Sequence, residues 1–160
     1  MVLKIDDPDP RNSATGAITE AEVRRLAEEW FEAVRRGDPV DVQERLFAPG
    51  VKIETWTGAA FDRPAHIRLH RNFENEVHHM ASLELMRLDD EGTRVQVTCT
   101  VEWEADLKAK QKEPRRVKCI VHEDLDIERG PGGAPRFSRY FSSAMEYLPG
   151  SVPLDLPDPD

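Results

Sequence analysis

The chain has 160 residues, 39% of them hydrophobic and 33% charged, which gives room for one domain with one core and excludes a disordered chain. Its net charge of −9 and pI near 5.1 exclude a nucleic-acid binder, because that affinity is carried by clustered Lys and Arg. No apolar stretch approaches the roughly 20 residues that cross a bilayer, and the start MVLKIDDPDP lacks the apolar segment of a signal peptide, so a soluble, cytoplasmic protein is expected.

Residues 1–17 are rich in Asp, Pro, Asn and Ser, a composition that cannot offset its ordering entropy, and are expected to form a flexible arm. Thr19 followed by Glu22 predicts a capping box, with Ile18 and Val23 as the hydrophobic staple of a first helix. Val23, Leu26, Ala27, Trp30, Ala33 and Val34 recur at helical spacing, and Gly37 stands where a left-handed cap is expected. Asp38 as N-cap and Pro39 in the first turn predict a short second helix to about Phe47, ended by Pro49-Gly50.

A short strand is expected over 51–56, then a third helix from Pro64 to about His79 with Ile67, His70, Phe73 and Val77 on one side. From Ala81 onward the period becomes two. Val95, Val97, Cys99, Val101, Trp103 and Ala105 alternate with polar residues, as do Val117, Cys119, Val121, Leu125 and Ile127 after the basic turn at 108–116. A last strand over 136–147 follows the GPGG turn at 130–133, so three long strands form an antiparallel meander. Helices first and strands afterwards predict an α+β domain over 18–150, followed by an acidic, Pro-rich tail at 151–160. Cys99 and Cys119 match neither a disulfide framework nor a zinc site and are expected to be reduced core residues.

The most informative polar residue is Glu123, which stands in phase with Val117, Cys119, Val121 and Leu125. A carboxyl in an apolar inward row has its charged form disfavoured and can work as acid or base near neutral pH; alternatively, Arg71 or Tyr140 pairs with it structurally. His70, with His66 one turn earlier, is a second proton-carrier candidate; with Glu74 the pair could hold a metal, but a lone HxxxH more often marks a satisfied helix–sheet interface, so no metal is expected. His78 and His79 are assigned to the third helix's C-terminal dipole. Alternation puts His122 and Asp124 on the face opposite Glu123, unless a bulge intervenes. Tyr140 and Ser142 share one face of the last strand as hydroxyl donors. Trp30, Trp56, Phe73, Trp103 and Tyr140 could make an aromatic wall for a flat or polycyclic ligand. No GxSxG, P-loop or GxGxxG is present, and no cofactor is expected.

The order of elements, with RRGD at Arg35 to Asp38, LFAPGVKIE at Leu46 to Glu54 and DRPAHI at Asp62 to Ile67, resembles the nuclear-transport-factor-2-like superfamily, which holds ketosteroid isomerase and the SnoaL-like polyketide cyclases. The resemblance implies a cone-shaped α+β barrel, three N-terminal helices packed on a strongly curved, mainly antiparallel sheet, with a small apolar ligand inside. Residue by residue, it implies that Trp30 stands where isomerases carry a tyrosine, and Thr55 where they carry the general base, a proton acceptor threonine cannot replace. It places Glu123 where isomerases have a protonated aspartate and cyclases a histidine, and Ser142 at the cyclases' aspartate. The implied activity is cofactor-independent acid–base chemistry, such as cyclisation, isomerisation or dehydration, on an apolar or polycyclic molecule. Glu123, His70, Tyr140 and Ser142 would be catalytic, and Trp30, Thr55, Trp56, Arg71, Phe73 and Trp103 ligand-binding. The alternative is a non-catalytic ligand-binding or subunit-assembly domain of the same fold. The resemblance also implies a homodimer through the outer sheet face, which carries Gln96, Thr98, Thr100 and Glu102.

Overall fold

The computed structural model describes residues 16–37 and 39–154. The expected arm over 1–15, Asp38 as N-cap and the tail over 155–160 lie outside the described residues. Helix α1 (Glu20–Arg36) begins on the expected capping box: Glu22 N donates to Thr19 Oγ1 and Thr19 N donates to the Glu22 carboxylate, both at 3.1 Å. It ends at Gly37, whose φ of 81° is the left-handed conformation that glycine adopts without steric cost. The stripe from Val23 to Val34 is buried, with Trp30 only 1% exposed.

Helix α2 (Val40–Leu46) stops before Phe47, and strand β1 (Phe47–Thr55) starts there. The Pro49-Gly50 pair, expected as a break ahead of a strand at 51, instead lies inside β1, where pairing with the last strand slips between Phe47 and Lys52. A two-residue strand β2 (Ala60–Phe61) follows, then helix α3 (Arg63–His70), capped by the Asp62 carboxylate accepting from Ala65 N at 2.9 Å.

Helix α3 is much shorter than the expected span to His79. The Asn72 side chain caps its end by donating to Leu69 O at 3.0 Å, and from Phe73 the chain is strand β3 (Phe73–Arg87), paired along its length with strand β4 (Arg94–Leu107). Phe73 and Val77 fit a helical period, but the ladder satisfies every second backbone group and wins over that local pattern. His78 and His79 are therefore strand residues and have no helix terminus to neutralise. Four long strands result rather than three: β3, β4, β5 (Arg116–Arg129) and β6 (Pro135–Tyr147).

The sheet is open and mixed, in the order β2-β1-β6-β5-β4-β3, with β1 parallel to β6 and all other pairs antiparallel. Inward residues of β4 and β5 alternate as expected, and Val95, Val97, Ala105, Val117 and Cys119 are fully buried against the helices. Each large apolar side chain so buried stabilises the fold by about 1.5–3 kcal/mol. Two slips in register, at Ser143 and Ser138 of β6, leave Glu123 opposite Ser142 and Leu125 opposite Tyr140, with Glu123 on the inner face. His122 faces outward and meets Glu146 at 2.7 Å.

A buried ion pair joins the first turn of α1 to the end of β5. Arg129 donates to both oxygens of Glu22, at 2.9 and 3.1 Å, and its remaining donors reach the carbonyls of Gly16, Ala17 and Gly133. Residues 151–154, expected to belong to the tail, are packed: Val152 is 5% exposed, its N–H donates to Arg116 O, and Leu154 N donates to Tyr147 Oη at 2.7 Å.

Candidate functional site

Inward side chains of β1, α3, β3, β4, β5 and β6 converge on a cavity of about 80 Å³ between α3 and the sheet. Of the residues singled out in the sequence, Thr55, Trp56, His70, Phe73, Trp103, Glu123, Tyr140 and Ser142 line it. Trp30 does not. It lies beneath the site, stacked on His66 at 5.3 Å and edge-on to Phe47 at 4.7 Å, as part of the core. Arg71 is also absent: α3 ends one residue before it, leaving its side chain exposed in a surface groove beside Arg63 and Arg68. It neither lines this cavity nor meets Glu123, the two placements the sequence suggested.

Glu123 is 6% exposed. Its Oε2 accepts from Ser142 Oγ at 3.1 Å, while Oε1 has no hydrogen-bond partner. Burial pushes the carboxyl up to about 7, and the hydroxyls of Ser142 and Tyr140, with the nearby His70 ring, only partly oppose that rise. The same burial, reinforced by Glu123, raises the Tyr140 phenol well above its ordinary value, so Tyr140 remains a donor.

The second carboxylate, Glu76, was not singled out in the sequence. Asn75 adopts φ 54° and the β3–β4 register slips between Glu74 and Val77, a bulge that turns Glu76 inward, 2% exposed. The available signal was an asparagine, a residue that tolerates the left-handed region, within a strand of mixed polarity. Glu76 accepts from Trp103 Nε1 at 2.9 Å and from His70 Nδ1 at 3.1 Å. Burial alone would raise its pKa, but His70, His78 and the indole together hold the carboxyl below its ordinary value. His70 Nε2 in turn meets His66 Nε2 at 3.2 Å, and His66 Nδ1 meets Gln43 Nε2 at 3.3 Å.

Burial holds His66 well below the usual imidazole range, helped by repulsion from His70 and His78. His78, which the sequence placed on a helix end, lines the cavity from β3, with its ring stacked on Phe31 at 4.4 Å and Nδ1 without a partner. Burial brings it down to about 4 despite the Glu76 carboxylate, so it is neutral at physiological pH. Cys99 and Cys119 are buried and free, and burial raises both thiols, Cys119 to about 12, leaving neither activated as a nucleophile.

A wider groove of about 330 Å³ between α1, α2 and the β5–β6 turn is lined by Arg25, Glu29 and Arg45. Of its two carboxylates, Glu22 is paired with Arg129 and Glu29 with Arg45.

No family model matches the chain, and no curated protein matches it. Solved structures do. A provisionally assigned scytalone dehydratase from Novosphingobium aromaticivorans aligns with TM-score 0.68 at 12% identity, covering 87% of this chain and 91% of that one. A hexachlorocyclohexane dehydrochlorinase from Novosphingobium barchaimii aligns with TM-score 0.63 at 12% identity over 84% and 93% of the two chains. An NTF2-like protein from Cytophaga hutchinsonii gives TM-score 0.63 at 8% identity over 82% and 100%. No helix among the described residues is long and apolar enough to cross a membrane. With three helices on a curved, open six-stranded sheet and these structural neighbours, the chain has the nuclear-transport-factor-2-like fold.

Proposed function

We propose that the protein is a cofactor-independent enzyme that moves a proton on a small, neutral molecule bound in the cavity, with Glu123 as the acid or base. One observation carries this reading: a 94%-buried carboxyl with a free Oε1, poised at about 7, lines a cavity whose other walls are largely aromatic. Above that pH the carboxylate can take a proton from carbon or oxygen of the substrate; below it, the acid can return one. In an elimination, the C–H electrons form the new double bond while the leaving group departs. In an isomerisation, Glu123 gives the same proton back at another atom. Ser142 holds the carboxyl in place, Tyr140 lies beside it, and His70, paired with Glu76, adds a polar side chain to the lining. The name of the dehydrochlorinase neighbour supports elimination chemistry on this scaffold.

The cavity of about 80 Å³ is well under the ~300–1,000 Å³ of pockets for drug-sized ligands, which favours a single ring or short chain over a polycyclic compound. A homodimer through the outer face of β4 and β5 is part of the same proposal and is checked by sedimentation.

The test is turnover of a panel of small compounds with an acidic C–H beside a leaving group, followed by mass spectrometry. Glu123→Gln should lower the rate about 10²- to 10⁴-fold with little change in ligand affinity. An unchanged rate overturns the role of Glu123. Tight binding by the wild type with no product from any bound compound supports instead a ligand-binding domain.

A further inference from the structure

The buried chain Gln43–His66–His70–Glu76 has its protons assigned from its two ends, an amide N–H and a carboxylate. Gln43 Nε2 can only donate, so His66 Nδ1, at 3.3 Å, must accept. His66 is 4% exposed and neutral, and its single proton therefore sits on Nε2. That proton points to His70 Nε2 at 3.2 Å, which must accept in turn. His70 is left with its proton on Nδ1, donated to the Glu76 carboxylate at 3.1 Å, while Trp103 Nε1 fills the other side of that carboxylate. The chain spans α2, α3, β3 and β4, and Gln43 itself is 3% exposed.

We propose that Gln43 is a positioning residue that, through His66, keeps His70 singly protonated at Nδ1 with its Nε2 lone pair occupied, so that the His70–Glu76 pair is closed to substrate and Glu123 exchanges protons instead. The proposal rests, for its catalytic consequence, on the reading of the cavity as a proton-transfer site. Its proton assignments stand on the hydrogen-bond geometry and the burial of His66. For His70 to take up a proton at Nε2, His66 must move its own proton to Nδ1, and Gln43 must turn its amide to present Oε1. The charged and titratable groups facing this pair are Glu76 and His78 from β3, Glu123 from β5 and Tyr140 from β6. The Glu76 carboxylate can only accept and so fixes the proton of His70 on Nδ1, while the Gln43 amide N–H bars His66 from shifting its own proton to Nδ1. This narrows the second proton-carrier role that the sequence suggested for His70: both ring nitrogens are engaged.

The experiment is long-range ¹H–¹⁵N correlation of the histidine rings in the intact protein at neutral pH, which reads each nitrogen as protonated or not. The wild type should show His66 protonated at Nε2 only and His70 at Nδ1 only. The reverse pattern at His66 overturns the proposal without any substitution. In Gln43→Glu, the carboxylate accepts from His66 Nδ1, so His66 should invert and His70 should carry protons on both nitrogens; an unchanged His66 also overturns it. Gln43→Met, of similar size and without a donor, leaves the His70 lone pair to hold the His66 proton on Nε2, so the wild-type tautomers should persist; inversion of His66 there overturns the assignment. These signals do not depend on turnover. Loss of activity in Glu123→Gln with the wild-type tautomers intact supports the catalytic reading separately, while correct tautomers with no activity on any substrate leave the relay standing and refute only its catalytic use.

Discussion

Replacing Glu123 by glutamine separates the cost of this carboxyl from everything else that titrates. The group moves from an ordinary 4.5 in the unfolded chain to about 7 when folded, because burial disfavours its charged form. A raised carboxyl favours the folded state fully below pH 4.5. Between 4.5 and 7 the unfolded chain ionises while the folded one stays protonated, and that contribution is lost; above 7 the loss is complete. At ~1.4 kcal/mol per pH unit the loss is roughly 3 kcal/mol between pH 4 and pH 8. For a chain of this size it corresponds to about 6–12 °C in melting temperature. Glutamine keeps a polar end group for Ser142 and cannot ionise, so the stability difference between variant and wild type should swing by that amount in the variant's favour as pH rises from 4.5 to 8. Urea melts of both proteins at several pH values measure it, and other groups cancel in the difference. A difference flat across this range would refute the raised carboxyl and with it the physical basis for catalysis by Glu123.

Three further outcomes follow from the same geometry. His78 is lowered from 6.5 to about 4 by burial, so its neutral form stabilises the fold above pH 6.5 and that contribution is lost as pH falls through 4; His78→Phe should reduce the acid sensitivity by up to roughly 3 kcal/mol in the same melts. Arg129→Ala leaves Glu22, 2% exposed, buried without its partner and should cost about 3–5 kcal/mol by chemical denaturation, whereas the exposed pair Arg24–Glu20 should cost under about 1 kcal/mol when broken. Asn75→Val puts a β-branched residue at φ 54° and should cost roughly 1–3 kcal/mol, with loss of the Trp103 indole hydrogen bond to Glu76 visible in the indole N–H resonance; Asn75→Gly should keep both.

How far the sequence discloses this molecule depends on whether local and distant interactions agree. Helix α1 is legible to the residue because Thr19, Glu22 and Gly37 act within one turn of each other, and the inward position of Glu123 follows from uninterrupted alternation in β5. Strand β3 is hidden because Phe73 and Val77 continue the helical spacing of Ile67 and His70, while the partner that makes them a strand lies some thirty residues later in β4. Glu76 is hidden for a different reason. A bulge shifts the alternation by one residue, and its inward turn depends on the backbone of Asn75 rather than on any pattern of polarity. Trp30 lies outside the cavity because alignment by position gives the location of a Cα but not what covers the side chain, here His66; Arg71 lies outside it because the helix ends one residue earlier. Gln43 carries no motif at all, since its importance comes from a single contact across two helices.

The parallel pairing of β1 with β6 also bears on how the protein assembles. Ile53 sits beside Tyr140, whereas the pairings that join β3, β4, β5 and β6 to one another link only sequence neighbours. Loop closure over such a separation costs entropy before any contact returns it, so the meander can form as a local unit, and the seam between β1 and β6 is expected to close late. Thr55 on one side of that seam and Tyr140 and Ser142 on the other are all cavity residues. A nascent chain that has emerged only through β5 would hold Glu123 without the serine and tyrosine that restrain it. The chemistry of the cavity comes into being with the docking of the last strand, and damage to that strand should be felt as loss of function before it is felt as loss of secondary structure.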